Sequence, residues 1–359
     1  MKAKTLRHAD ALVDAGLVPA RRRREVERVA RRFAVAVTPH VVDMIESGGA
    51  PIARQFLPTA AELRVASEER ADPIGDDRFA PLKGIVHRYP DRVLLKPLLV
   101  CPVYCRFCFR REVVGKGGTL TARELAAALA YIRGKPAIWE VIVTGGDPFL
   151  LSARRLKEIV RALGAIPHVQ VIRFHTRVPI VEPSRVTPAL VAALDTDKAI
   201  YVAIHANHPR ELTAAARAAC TRLGKAGIPL LGQSVLLKGV NDDTATLEAL
   251  FRGLVAMRVK PYYLHHADLA RGTAHFRTTL AAGRDLVRAL RGRVSGLCQP
   301  TYVLDLPGGH GKVPVGPCYV QALDDDSWSI EDPTGGRHRY PAATGRNGLR
   351  KSKNKLQIQ

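Results

Sequence analysis

The sequence predicts an α/β protein: a partial (β/α)6 barrel with a helical region before it and a short segment after it. Three observations point there. Apolar, β-rich runs occur at 93–100, 139–144, 169–174, 199–204, 228–236 and 261–264. From the second onward their starts lie about thirty residues apart, the length of one βα unit. Amphipathic stretches with helix-start signals fill the gaps. Strands alternating with helices imply a parallel sheet. Six units are too few for the usual eight-strand closed barrel.

Taken in order, residues 1–85 read as helical. In "RRREVERVARRFAV", Val26, Val29, Phe33 and Ala34 recur at helical spacing. Thr38 is an N-cap candidate with Pro39 at the first helical position. "ADPIGDDRFAPLKG" is a polar connector. The barrel is expected over 86–295. Its first helix carries a capping-box pattern, Thr121 with Glu124. The next starts at Ser152 and stops near Gly164. "HPRELTAAARAACTRLGKAG" and "DDTATLEALFRGLVAMR" follow the same plan. A further segment is expected over 296–340, where a seventh strand, "TYVLDL", leads into the loop "PGGHGKVPVGP". The basic tail, 341–359, reads as disordered.

Composition excludes some classes. No run of eighteen apolar residues suggests a membrane-spanning helix. The N-terminus lacks the apolar core of a secretory signal. Six cysteines in 359 residues are too few for a disulfide scaffold. A reducing cytoplasm and a metal or redox role for the clustered ones follow. The net charge of +22 is spread along the chain and reads as a basic solvated surface.

In parallel sheets of this kind the chemistry gathers at the carboxyl ends of the strands. There lie "CPVYCRFCFRRE", "TGGDP", "HTR", "HANHP" and "HHADL". Cys101, Cys105 and Cys108 form a C-x3-C-x2-C pattern, while Cys220, Cys298 and Cys318 are isolated. Three thiolates cannot complete a four-ligand zinc site alone. They suit a [4Fe-4S] cluster with one iron left open for a small molecule.

The spacing, with an aromatic just before Cys108, resembles the signature of radical S-adenosylmethionine (SAM) enzymes. "HRYPDRVLL", "CRFCFRRE", "HANHPREL", "GQSVLLKGVND", "AHFRT" and "DLPGGHGKVPV" together resemble the lysine 2,3-aminomutase family, from about Val37 to Tyr340. The resemblance implies a [4Fe-4S] cluster, SAM and pyridoxal 5′-phosphate (PLP). It implies that Lys312 is the catalytic lysine that carries PLP, with Arg88, Tyr89 and Arg92 contacting that cofactor. Gly145, Gly146 and Asp147, with His205 and Gln233, match positions around SAM. Arg110 matches the position that pairs with a substrate α-carboxylate, and Asp268 and Asp305 those that hold the ε-ammonium of lysine. Read alone, a lysine is ordinarily a solvated charge, GGD is ordinarily a turn, and a histidine at a strand end can be structural.

The implied reaction moves the amino group of L-lysine from C2 to C3. The implied partners are a small amino acid, a reductant of the flavodoxin or ferredoxin type and a second copy of the chain. A mutase of another amino acid such as arginine, or supply of β-lysine for elongation factor P, are alternatives within the class. The charge raises a different one, a radical SAM RNA-modifying or nucleic-acid-binding protein, though no RNA-binding motif anchors it. One departure stands out. The mid-chain zinc cysteine of the clostridial type is Asp243 here, and no cysteine follows Cys318. No structural zinc is expected, which puts in doubt the oligomer that zinc supports there.

Overall fold

A computed structural model describes residues 4–324 and 326–342. Most of the expected disordered tail, 343–359, lies outside the described residues. Helices Ala9–Asp14, Arg23–Arg32, Pro39–Gly48 and Ala50–Phe56 precede the sheet. Val26, Val29 and Phe33 are buried, as their spacing requires. Thr38 caps its helix by accepting from the Val41 N–H at 3.3 Å, with Pro39 at the first turn.

Nine strands form one sheet in chain order. They are β1 (Ile85–Tyr89), β2 (Arg92–Leu98), β3 (Glu140–Gly145), β4 (Val171–Thr176), β5 (Ala199–His205), β6 (Leu230–Leu236), β7 (Val259–His266), β8 (Thr301–Leu306) and β9 (Gly311–Pro314). From β2 to β8 every neighbour is parallel, which places "TYVLDL" in the same ladder as the six expected strands. The parallel set therefore has seven members.

Both edges are antiparallel, and both correct the sequence reading. "HRYPDR" spans the hairpin joining β1 to β2. Lys312 is not in a loop but on β9, opposite Asp305 on β8. Each edge strand is short and bounded by Gly and Pro, Gly84 and Pro90 around β1 and Gly311 and Pro314 at the ends of β9, so its alternation is too brief to read. Edges tolerate such residues because one side of the ladder is unpaired. The sheet curls until its two edges touch: the Lys312 N–H on β9 donates to the Tyr89 hydroxyl on β1 at 2.8 Å. The barrel is nearly closed at this seam.

Alternation along the strands sorts the side chains. Val93, Leu95, Val141, Val143, Ile172 and Phe174 face outward into one apolar core with the helices. Their neighbours Lys96, Arg173, His175, Gln233, His265 and Asp305 face the lumen, which is polar. The helices form where expected, with Thr121, Ser152, Thr213 and Asp243 as caps. Asp243 accepts from the Thr246 N–H at 2.8 Å, so this position serves as a helix cap. Contacts divide the chain into a unit running to Gly316 and a smaller one from Pro317. The smaller unit is a three-stranded antiparallel sheet, Val320–Ala322, Trp328–Glu331 and Arg337–Tyr340. Among the described residues no helix is long and apolar enough to cross a membrane.

Candidate active site

The cysteine loop leaves the carboxyl end of β2 and is seated by β3. The Gly146 N–H donates to the Leu98 carbonyl at 2.8 Å and the Asp147 N–H to that of Val100 at 2.9 Å. Gly145 has a φ of +107°, and a Cβ on Gly146 would collide with the Val100 backbone. Only glycine permits both. The Asp147 carboxylate accepts from Thr176 Oγ1 (2.6 Å) and from the N–H groups of Arg177 (2.7 Å), Phe149 and Val178 (both 3.1 Å). It caps two turns and is fully engaged. What "TGGDP" offers a ligand is backbone, not this carboxylate.

The three arginines of "CRFCFRRE" divide. Arg106 and Arg111 are buried and share Glu62, itself fully buried. Arg106 Nε lies 3.0 Å from the carboxylate, and Arg111 Nη1 also donates to the Gly272 carbonyl at 3.1 Å. Burial pushes the Glu62 carboxyl up, but the two guanidiniums outweigh it and hold it below its ordinary value. These arginines fasten the loop to the N-terminal region. Arg110 turns elsewhere: its Nε donates to Asp76 at 2.8 Å.

Two of the three thiols, Cys101 and Cys108, are shifted by their surroundings. Burial, then the Cys105 sulfur, push Cys108 up to about 11, and burial raises Cys101 as well. Metal binding to such thiols releases protons. Arg177 donates to Cys105 Sγ at 2.8 Å and also to Gln55 (2.6 Å) and Glu211 (2.8 Å). A guanidinium aimed at sulfur suits a thiolate ligand. Among the described residues no three ligand groups converge on a point that would hold a single ion. A four-iron cluster is a larger body and accepts thiolates that are further apart.

Further into the lumen, Lys312 forms an ion pair with Asp305. His265 Nδ1 lies 3.2 Å from Lys312 Nζ and 3.5 Å from Asp305, and its Nε2 lies 3.2 Å from Gln233. Burial raises the Asp305 carboxyl, but His265 and Lys312 prevail and hold it at about 2. Asp268 behaves oppositely. Burial and then the Asp305 charge push it to about 7, against Lys312 and Arg110. The acid pair is thus split into one fixed anion and one group that titrates near neutrality.

The residues expected around PLP separate into two groups. Tyr89 meets Lys312 at the seam, and the Arg92 guanidinium lies 3.8 Å over the Tyr89 ring. Arg88 instead donates to the Ile74 carbonyl at 2.6 Å and approaches Asp76 at 3.5 Å, beside Arg110. Lys96 lies 3.9 Å from the same Asp76. Three cations therefore share one carboxylate, and a cavity of about 450 Å³ opens beside Lys96 and Arg110. His205 packs on the Phe107 ring at 5.5 Å and lies 3.1 Å from Asn207. Gln233 is its cross-strand partner, yet its side chain turns to His265.

Asp76, Arg177, His175 and His265 escaped the sequence reading as site residues. "HTR" and "HHADL" were visible as strand-end clusters, and strand parity was the signal that His175 and His265 face inward. His175 Nε2 is buried without a hydrogen-bond partner among the described residues. Burial, then Arg173, Arg110, His265 and Lys312, depress its pKa well below the usual value. So four basic groups bear on one point of the lumen. Arg173, Arg110 and Lys312 each have an acid partner, but at Asp76 three cations meet one carboxylate, and that excess of positive charge fits anionic ligands, a phosphate or a carboxylate. A lumen-facing amine, an aromatic ring beside it and that excess suit PLP.

A family model described as the radical SAM superfamily matches residues 95–250, and one described as lysine-2,3-aminomutase matches residues 287–335. An L-lysine 2,3-aminomutase of Acetoanaerobium sticklandii is 42% identical over 298 residues, covering 82% of this chain and 72% of that one. One of Clostridium subterminale is 40% identical over 304 residues, 84% and 73% of the two chains. A glutamate 2,3-aminomutase of Clostridioides difficile is 35% identical over 304 residues, 84% and 72%.

Proposed function

The chain belongs to the lysine 2,3-aminomutase family of radical SAM isomerases, and from that premise we propose that it converts L-lysine to L-β-lysine by moving the amino group from C2 to C3. The radical SAM domain implies a [4Fe-4S] cluster and SAM. Cys101, Cys105 and Cys108 hold three of the irons and leave the fourth for SAM. His205, Gln233 and the backbone of Gly145 and Gly146 line the space for it. Lys312 is the attachment point of PLP, with Tyr89 and Arg92 beside it. PLP supplies an electron sink next to the migrating nitrogen. A flavodoxin- or ferredoxin-type protein supplies the electron, and the enzyme works as a homo-oligomer.

The protein's own residues do the rest. Asp305 and Asp268 seat the substrate ε-ammonium, and Arg110 takes its α-carboxylate, displacing Asp76 from that guanidinium. Clamped at both ends, the substrate presents one β-hydrogen to the radical. The nearly closed lumen keeps water and oxygen from it.

One observation carries the choice of lysine. An ε-ammonium already sits in this pocket: that of Lys312, ion-paired to Asp305 and facing Asp268. A glutamate side chain placed there would meet two acids. The test is an anaerobic assay with SAM, a strong reductant and L-lysine, L-arginine or L-glutamate, read by mass spectrometry. β-Lysine from lysine alone is expected. SAM consumption without β-lysine, on protein with cluster and PLP intact, would reject the substrate.

A further inference from the structure

We propose that His265 is a catalytic base that takes protons from Lys312 Nζ, so that the amine can attach to and be released from the carbonyl carbon of PLP. The proposal rests on the reading that Lys312 carries PLP. An ammonium has no free electron pair and cannot attack a carbonyl. It must first lose a proton to a group within hydrogen-bond reach. Around Lys312 Nζ, two such groups are Asp305 and His265.

Asp305 is the weaker base, held at about 2. Its carboxylate stabilises the cation rather than removing its proton. His265 Nδ1 lies 3.2 Å from Nζ. Burial, and next the Lys312 charge itself, depress its pKa, so the ring stands neutral with a nitrogen ready to accept. Part of that depression vanishes when the proton moves, because the charge that caused it has moved with it. Asp305 lies 3.5 Å from Nδ1 and beside Nζ, so one cation faces one anion before and after transfer. No charge separation opposes the step.

The other neighbours fit this role. Gln233 contacts Nε2 and can accept from it or donate to it, because an amide presents either face. The Tyr263 ring stands edge-on to His265 at 5.6 Å and lies 5.5 Å from Nζ. His175 and His205 are held neutral, chiefly by burial. Asp268, at about 7, is the further titrating group near Lys312.

The step balances without an added reagent. Two of the three ammonium protons end on the carbonyl oxygen, which leaves as water, while the C=O bond is replaced by C=N. His265 carries each proton in turn, and the third stays on nitrogen. Release of the amine runs the same path backward.

The test uses the full chain freed of PLP and remixed with it, following the C=N absorbance in a stopped-flow instrument from pH 6 to 9. His265→Asn and His265→Gln are expected to slow attachment about 100-fold near pH 7. The deficit shrinks as pH rises and hydroxide takes over, while the final amount of bound PLP is unchanged. Imidazole added to His265→Ala restores part of the rate. Wild-type rates with an unshifted pH profile in both variants would overturn the proposal. So would slow attachment that neither pH nor imidazole relieves, which marks His265 as a spacer. If wild-type protein forms no C=N band, or Lys312→Ala forms the same one, the reading of Lys312 fails instead.

Discussion

The two polar regions of the barrel treat their charges differently. Around the cysteine loop the guanidiniums of Arg106 and Arg111 meet Glu62 and that of Arg177 meets Glu211 at hydrogen-bond distance, although Arg111 Nε and Arg177 Nε have no partner among the described residues. In the lumen, Arg88, Lys96 and Arg110 share the single carboxylate of Asp76, and His175 Nε2 has no partner among the described residues. Buried networks in which each cation touches an acid rigidify. Under-satisfied ones mark where a ligand completes the account. The first region holds a loop in shape; the second carries the positive charge that an anionic ligand would meet.

The sharpest break of this contrast is Lys312→Ala. It removes the seam amine without touching the loop network. We expect no C=N absorbance and no detectable β-lysine, with iron content unchanged. Loss of iron together with PLP would show that the two regions are coupled. Next in size is Glu62→Ala, which strands two buried guanidiniums. We expect it to cost about 3–5 kcal/mol of stability, read from a urea midpoint, with iron loading impaired. A change under about 1 kcal/mol would mean that the loop is held by other contacts.

Within the lumen, the split acids predict unequal effects. Asp305→Asn removes a fixed anion and should weaken lysine binding more than Asp268→Asn. Asp268 ionises only above about 7. Its raised pKa makes it neutral, and a poor cation partner, as pH falls. The KM for lysine should therefore rise about tenfold from pH 8 to pH 6 in the wild type and stay flat in Asp268→Asn. A parallel rise in both would place the titration elsewhere. The smallest effect is expected from Tyr89→Phe. It removes one seam hydrogen bond, about 1 kcal/mol, measurable as a several-fold weaker affinity for PLP.

Much of the scaffold was legible. The runs at 199–204 and 228–236 became Ala199–His205 and Leu230–Leu236. That at 169–174 slipped by two residues to Val171–Thr176, because a buried parallel strand is apolar throughout and shows no sharp boundary. β1 and β9 were missed because Gly and Pro bound runs of only five and four residues. Lys312 and Asp305 were legible through a motif, but their ion pair was not. That needs β9 to fold back on β8 in one register.

Taken by itself, the sequence determined the three-thiol loop, the order of the seven parallel strands and the helices between them, and which residues of each long strand share a face. These are local: a period of two decides a side, and three cysteines within eight residues must lie together. Tertiary structure decided the partners. That Asp76 answers Arg110, that His265 stands between Lys312 and Gln233, and that Tyr89 closes the seam follow only once the sheet curls. Curvature sets which residues face each other across the lumen, and it is a property of the whole sheet that no single segment carries.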